Sequence, residues 1–233
     1  MMKTVREKSI FELGQYFEQS IIAHISDADV VTTVENAIKY NMAGVYCWEH
    51  EIDIVKPMLA GTGLFLGTGV SFPLGQDAPD IKAFAAEVMY KRGATNIDFV
   101  MNHGALREGR FNYVEKEVAL IRKAIPEAVI KMIIECCYLT DEQIDFACKV
   151  AIENNLNFVK SSTGQFQGPR FDQITRIVDH MHGAGLGAKV AGIKFPRPQN
   201  AMVTLLAGVD RIGTQQAVEI LDGIAELRER GIF

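Results

Sequence analysis

The run Phe158-Val159-Lys160-Ser161-Ser162-Thr163-Gly164 ends an apolar stretch in a lysine, then follows it with a hydroxyl cluster and a turn glycine. A lysine inside a strand is costly unless it has a partner or a task. Asp98, Lys131 and Lys189 fall in comparable runs, and the four positions are 33, 29 and 29 residues apart. That interval is one strand–helix–strand unit. It predicts consecutive parallel strands, about 4.8 Å apart. With all four facing inward at similar height, one carboxylate would meet three ammonium groups in a confined space. Burial and like charge both lower the pKa of a lysine. An amine brought toward neutral pH adds to carbonyls and forms a Schiff base. A second ammonium favours the free amine of the first, and a carboxylate can relay a proton. These are the parts of imine aldol chemistry. A lone lysine at a strand end is more often a snorkelling surface residue; the repeated spacing sets this group apart.

The elements that would position these groups follow a regular alternation. Strand signals lie at 20–25, 43–48, 64–72, 96–101, 128–134, 157–161, 186–191 and 210–214. Helical patterns follow them, with Pro79 suited to a first helical turn and Thr140 and Gln143 at capping-box spacing. Residues 4–19 read as an amphipathic helix ahead of the first strand. Eight alternating units without a composition break predict a (β/α)8 barrel, one domain over residues 1–233, its N-terminal helix (1–19) capping the bottom. A doubly wound sheet is the rival architecture.

The same residues carry a resemblance. The lysine strand 158–164 resembles the F-[IV]-K-T-S-T-G motif of the deoxyribose-phosphate aldolase family. Gly93–Asn102 with Gly104-Ala105-Leu106 is similar to the family's fourth-strand segment, and Lys131–Glu135 with Tyr138–Glu142 to its fifth. Phe72-Pro73-Leu74-Gly75, Lys189-Val190-Ala191-Gly192 and Arg211-Ile212-Gly213-Thr214 extend the likeness to about residues 20–220. The resemblance implies a (β/α)8 barrel and a class I lyase that cleaves 2-deoxyribose 5-phosphate to acetaldehyde and glyceraldehyde 3-phosphate. It implies Lys160 as the Schiff-base nucleophile, Lys189 as the cation lowering its pKa, Asp98 in proton relay and Lys131 beside them. No metal or organic cofactor is implied, because the imine is itself the electron sink.

Departures from the family pattern cluster at the substrate rim. The family's Asp-His pair on strand one is read here as Ala23-His24. Its Gly-Gly after strand seven becomes Gly192-Ile193, followed by Lys194-Phe195-Pro196-Arg197-Pro198. Gln165 follows Gly164, Gln215-Gln216 follow strand eight, and Cys47-Trp48-Glu49 end strand two. A barrel phosphate site uses backbone amides after strands seven and eight and a helix N-terminus. Gly164, Gly192, Lys194, Gly213 and Thr214 are the candidates for it, with Arg197 as added charge. Two further readings stay open: an imine aldolase of the same family acting on a different or non-phosphorylated sugar, and a non-catalytic sugar-phosphate binding barrel.

Composition narrows the partners. A net charge of −5 argues against a nucleic-acid binder. No stretch has the length and apolarity of a membrane span, and the N-terminal residues lack the apolar core of a signal peptide, so cytoplasmic placement is the expectation. The partner expected is a small aldehyde or sugar phosphate; homo-oligomerisation is left open. Cys47, Cys136, Cys137 and Cys148 form no C-x-x-C pair and read as reduced thiols. His180 and His182, two apart on a helix, do not share a metal-facing side; His24, His50 and His103 are scattered. The glycines of 183–187 precede a strand rather than follow one, which marks a turn and not a dinucleotide fingerprint.

Overall fold

The computed structural model describes residues 4–23 and 26–233. Eight parallel strands close into one barrel in chain order: β1 (Phe17–Ser20), β2 (Gly44–Cys47), β3 (Phe65–Val70), β4 (Asn96–Val100), β5 (Val129–Ile133), β6 (Phe158–Lys160), β7 (Gly187–Ala191) and β8 (Arg211–Thr214). Around them run α1 (Ile10–Gly14), α2 (Asp27–Lys39), α3 (Ile52–Leu59), α4 (Pro79–Arg92), α5 (His103–Arg107), α6 (Phe111–Ala124), α7 (Asp141–Glu153), α8 (Phe171–Gly183), α9 (Arg197–Leu206) and α10 (Ala217–Glu229). Parallel neighbours need a crossover, and α2 to α9 supply them, α5 and α6 sharing the one between β4 and β5.

The local chemistry explains the boundaries. In α6, Val114, Val118 and Ile121 recur at helical spacing and are fully buried against the barrel. In α7 the Thr140 hydroxyl accepts from the Gln143 amide while the Gln143 side chain accepts from the Thr140 amide, the reciprocal cap its spacing predicts. The glycines of 183–187 do end α8 and lead into β7, with Gly185 at φ +72°.

The N-terminal expectation is corrected. The predicted helix over 4–19 is a 3-10 turn, Val5–Glu7, and one short helix, α1, and the first strand is Phe17–Ser20 rather than 20–25. Gly14 ends α1 in tight contact with the chain before β2: a Cβ there would lie 1.9 Å from the Tyr40 carbonyl oxygen. Beyond it Phe17 packs outward into the helix layer while Glu18 turns into the barrel, the two-residue alternation of a strand. A charged residue next to Tyr16 and Phe17 had suited a helical stripe equally well. His24 and Ile25, part of the predicted strand, lie outside the described residues. α5 is an addition that the strand–helix alternation did not anticipate.

One buried ion pair ties two of the βα loops together. Lys82 of α4 reaches Glu117 of α6 at 2.5 Å, and its other protons go to the carbonyls of Gly75 and Val100. Glu117 also accepts from the Asn102 amide. The pair therefore clamps the turn after β3 to the end of β4. Burial draws the Lys82 ammonium down and pushes the Glu117 carboxyl up, each opposed by the other's charge. Removing one partner strands the other. Lys82→Met is expected to lower the unfolding free energy in a denaturant titration by about 3–5 kcal/mol, and a loss below about 1 kcal/mol would contradict this account.

Candidate active site

Strand register places the predicted lysines and carboxylate inside the barrel. Asp98 stands opposite Lys131, Lys160 opposite Lys189, and Lys189 opposite Arg211. Residues directly across a ladder share a face. Lys131 sits lower than Lys160, because Lys131 faces Phe158 and Ile133 faces Lys160. Asp98, though level with Lys131 in the register, hydrogen-bonds only the other two lysines. Its Oδ2 accepts from Lys160 Nζ at 2.9 Å and Lys189 Nζ at 2.7 Å. Lys131 is instead ion-paired at 2.9 Å with Glu18, which also contacts Lys189.

Glu18 is the residue that sequence reasoning missed. It lies at the first-strand position, level with Gly44 and Gly213. Its place on the first strand is one that the sequence pattern gave to the N-terminal helix. The signal that could have found it is a second buried acid: three lysines cannot share one carboxylate in an apolar interior. The result is an alternating ladder, Lys131–Glu18–Lys189–Asp98–Lys160, with all five side chains almost wholly buried.

Aromatic faces complete the enclosure. Lys189 Nζ lies 3.9 Å from the Tyr46 ring centroid, and Lys131 Nζ 4.5 Å from that of Phe65. The Tyr46 hydroxyl accepts from Lys131 at 2.6 Å, as Asn96 does at 2.9 Å. Gly67 and Gly213 make room: a Cβ at Gly67 would strike the Tyr46 ring, and one at Gly213 would lie 3.0 Å from Lys189 Cε.

The ladder orders the proton affinities. Burial lowers the Lys160 pKa, Asp98 opposes, the Lys189 charge lowers it again, and the net shift is downward. Burial acts likewise on Lys189, yet Asp98 and Glu18 together outweigh it and hold that ammonium above its ordinary value. Lys131 is drawn down to about 8, chiefly by burial with Glu18 opposing. Burial would raise Asp98 and Glu18, but the surrounding lysines keep both carboxyls below their ordinary range. Burial first, then the Asp98 and Glu18 charges, push the Tyr46 phenol well up.

Two cavities open on this ladder, and Lys160 lines both. One, about 190 Å³ and polar, gathers all five predicted anchoring residues, Gly164, Gly192, Lys194, Gly213 and Thr214, together with Arg197, Gln215 and Gln216. The other, about 40 Å³, is mainly apolar and includes Tyr46, Cys47, Trp48 and Phe72. The hydroxyl run after Lys160 fastens the rim. Ser162 donates to the Ala191 carbonyl, and Thr163 donates both its amide and its hydroxyl to the buried Glu135 carboxylate. Gly164 and Gly192, at φ +81° and +77°, let the loops after β6 and β7 pack backbone to backbone. Thr214 accepts from the Gln216 amide at the start of the 13-residue helix α10, whose N-terminal end thus faces the polar cavity.

The remaining histidines and cysteines have structural surroundings. His180 pairs with Asp145 and His182 with Asp210, and His103 packs on the Tyr138 ring. His24 is outside the described residues. Among the described residues no cluster of three His, Cys, Asp or Glu side chains could hold a metal ion, and no helix is long and apolar enough to cross a membrane. Burial raises the Cys47 thiol to about 12. Phe195 is not core: it is 82 % exposed.

Known proteins resemble the chain over nearly its whole length. A deoxyribose-phosphate aldolase of Finegoldia magna is 33 % identical over 214 residues, 91 % of this chain and all of the relative. Those of Bacillus subtilis and Thermococcus kodakarensis are 32 % and 31 % identical, over 86 % and 91 % of the chain and 90 % and 96 % of their own lengths. Among solved structures, the tetrameric deoxyribose phosphate aldolase of Aeropyrum pernix superposes with a TM-score of 0.84 at 25 % identity, covering 94 % of this chain and 93 % of its own. A Coccidioides immitis structure, at 22 % identity and covering 94 % of this chain and 87 % of its own, shares the fold with a TM-score of 0.87. The chain matches no protein-family model.

The Glu18 carboxylate raises the proton affinity of Lys160 as well as of its two direct partners. Glu18→Gln is therefore expected to move the pH profile of Lys160 acetylation, measured by competitive labelling with acetic anhydride, toward lower pH. An unmoved profile would contradict the ladder.

Proposed function

The chain belongs to the deoxyribose-phosphate aldolase family, and from that premise we propose that it is a class I aldehyde-lyase working through a Schiff base on Lys160. The substrate inferred is 2-deoxyribose 5-phosphate, cleaved reversibly to acetaldehyde and glyceraldehyde 3-phosphate. The observation that carries the reading is that Lys160, alone of the three ladder lysines, lines both cavities. Its position at the end of the ladder also gives it one carboxylate partner where Lys189 has two.

The steps follow from that asymmetry. The free amine of Lys160 adds to the C1 carbonyl, and the carbinolamine loses water to leave an iminium. The C2–C3 bond then breaks, its electron pair moving toward the iminium nitrogen, while the C3 hydroxyl gives up its proton. Glyceraldehyde 3-phosphate leaves. The enamine remaining on Lys160 is protonated at C2 and hydrolysed to acetaldehyde. Asp98 is the proton relay: ionised at rest, with a buried Oδ1 that has no hydrogen-bond partner among the described residues, it takes the C3 hydroxyl proton through a water and returns it to C2 of the enamine. Lys189, held protonated, keeps Lys160 on the amine side. Lys131 and Glu18 support Lys189 from below.

The polar cavity would take the phosphate. Gly164, Gly192, Gly213 and Thr214 bring backbone to it, the start of α10 directs a helix dipole at it, and Lys194 and Arg197 add charge. Arg197 lies 3.7 Å from Glu219, and Lys194 donates to the Phe166 carbonyl. A second reading, a related sugar without the 5-phosphate, is favoured by Ile193, Gln215 and Gln216 in the same lining. Comparing 2-deoxyribose with its 5-phosphate discriminates the two.

Borohydride reduction in the presence of acetaldehyde should fix a two-carbon adduct on Lys160, located by peptide mapping, and Lys160→Met should lose it. An adduct only on surface lysines would sink the mechanism. Lys189→Met removes a cation and leaves Asp98 and Glu18 less compensated; both changes raise the Lys160 pKa. The acid limb of kcat/KM should then shift to higher pH by roughly 1 unit or more, and an unmoved limb would contradict the assigned role.

A further inference from the structure

The smaller cavity at Lys160 has no occupant in the reaction as derived so far. It holds about 40 Å³ and is walled by Ile21, Tyr46, Trp48, Phe72 and Ile133, with Asp98 and Lys160 as its charged lining. Trp48 is held rigidly there. Its indole Nε1 donates to the Ile22 carbonyl at 3.2 Å, and its ring meets Phe72 edge-on at 6.0 Å between centroids. Its own amide donates to the buried Glu51 carboxylate at 2.9 Å. Two anchors on the side chain and one on its backbone leave it little freedom to swing aside.

The geometry points to this chamber as the pocket for the carbonyl donor's non-reacting substituents, with Trp48 setting how long an aliphatic aldehyde or ketone can be. The inference rests on the Schiff-base reading of Lys160. An imine carbon lies one bond from Nζ, and the bond to the acceptor must point toward the polar cavity that takes the phosphorylated end. Whatever else the donor carries is then directed to the opposite side, where the walls are apolar. A water needs about 10–15 Å³ of such space, so a chamber of about 40 Å³ holds about three water-sized groups: the imine carbon, its neighbour and one further heavy atom. The walls are mainly apolar and favour alkyl groups, the ionised pair and the Ser20 and Tyr46 side chains being the polar exceptions.

The test is reductive trapping with cyanoborohydride using ethanal, propanal, butanal and propanone as separate probes, read by intact mass and mapped to Lys160. In the native protein the rate of adduct formation should fall by roughly tenfold or more for each methylene added beyond the chamber's capacity. Trp48→Ala should flatten the series, bringing butanal to within a few-fold of ethanal. Trp48→Phe keeps a ring on Phe72 with less bulk and no anchor to Ile22, and should give an intermediate series even if the alanine variant folds poorly. Equal chain-length dependence in the native protein and both variants would overturn the inference while leaving the Schiff base intact. Failure of ethanal itself to label Lys160 would remove the Schiff base and this pocket's role with it.

Discussion

The buried alternation of charge, Lys131–Glu18–Lys189–Asp98–Lys160, is the constraint to which the rest of the barrel answers. Isolated, any of these ions would be driven to neutrality or would destabilise the fold by several kcal/mol. Arranged in alternating sign, each interior ion except the two ends has a partner on either side. Parallel register supplies the arrangement, because inward positions on β1, β4, β5, β6 and β7 converge on the axis. Glycines at Gly67 and Gly213 and the ring of Tyr46 occupy what space remains. The same ladder that must be neutralised for stability also ranks the lysines, because each end lysine has a single counter-ion where Lys189 has two.

That ranking turns a structural cost into chemistry. Lys189 is surrounded on two sides by carboxylate and keeps its proton; Lys160 has one carboxylate, a neighbouring ammonium and contact with both cavities. The surrounding loops then need only hold the rim in place. Thr163 on Glu135, Ser162 on Ala191 and the Lys82–Glu117 clamp do so from three sides of the mouth. Thr163 and Ala191 line the polar cavity themselves, and the Lys82–Glu117 clamp fixes the turn after β3, which brings Phe72 to the smaller one.

Much of this was legible in the amino-acid order, and the reasons are specific. The barrel was readable because eight apolar strands with helical crossovers leave few other closures. The inward lysines were readable because the spacing of 98, 131, 160 and 189 tracks the barrel unit. What could not be read was height. Lys131 and Lys160 are offset by two residues in the register, and Lys131, though level with Asp98, is ion-paired across the barrel with Glu18; unit spacing carries no information about either. Glu18 was hidden for a related reason. Its neighbours Tyr16 and Phe17 suit a helix as well as a strand, and only closure against β8 decides between them. The rim glycines Gly164 and Gly192 came from the family resemblance, and their positive φ and close backbone approach explain why glycine stands there.

The central claim is that the ladder makes Lys160 the weaker base and Lys189 the stronger. An NMR pH titration of protein carrying 15N at the lysine side-chain nitrogens measures this directly. The account predicts that Lys160 loses its proton below the ordinary lysine value, while Lys189 holds its proton above it. Deprotonation of Lys189 first, or of both together at the ordinary value, would contradict it.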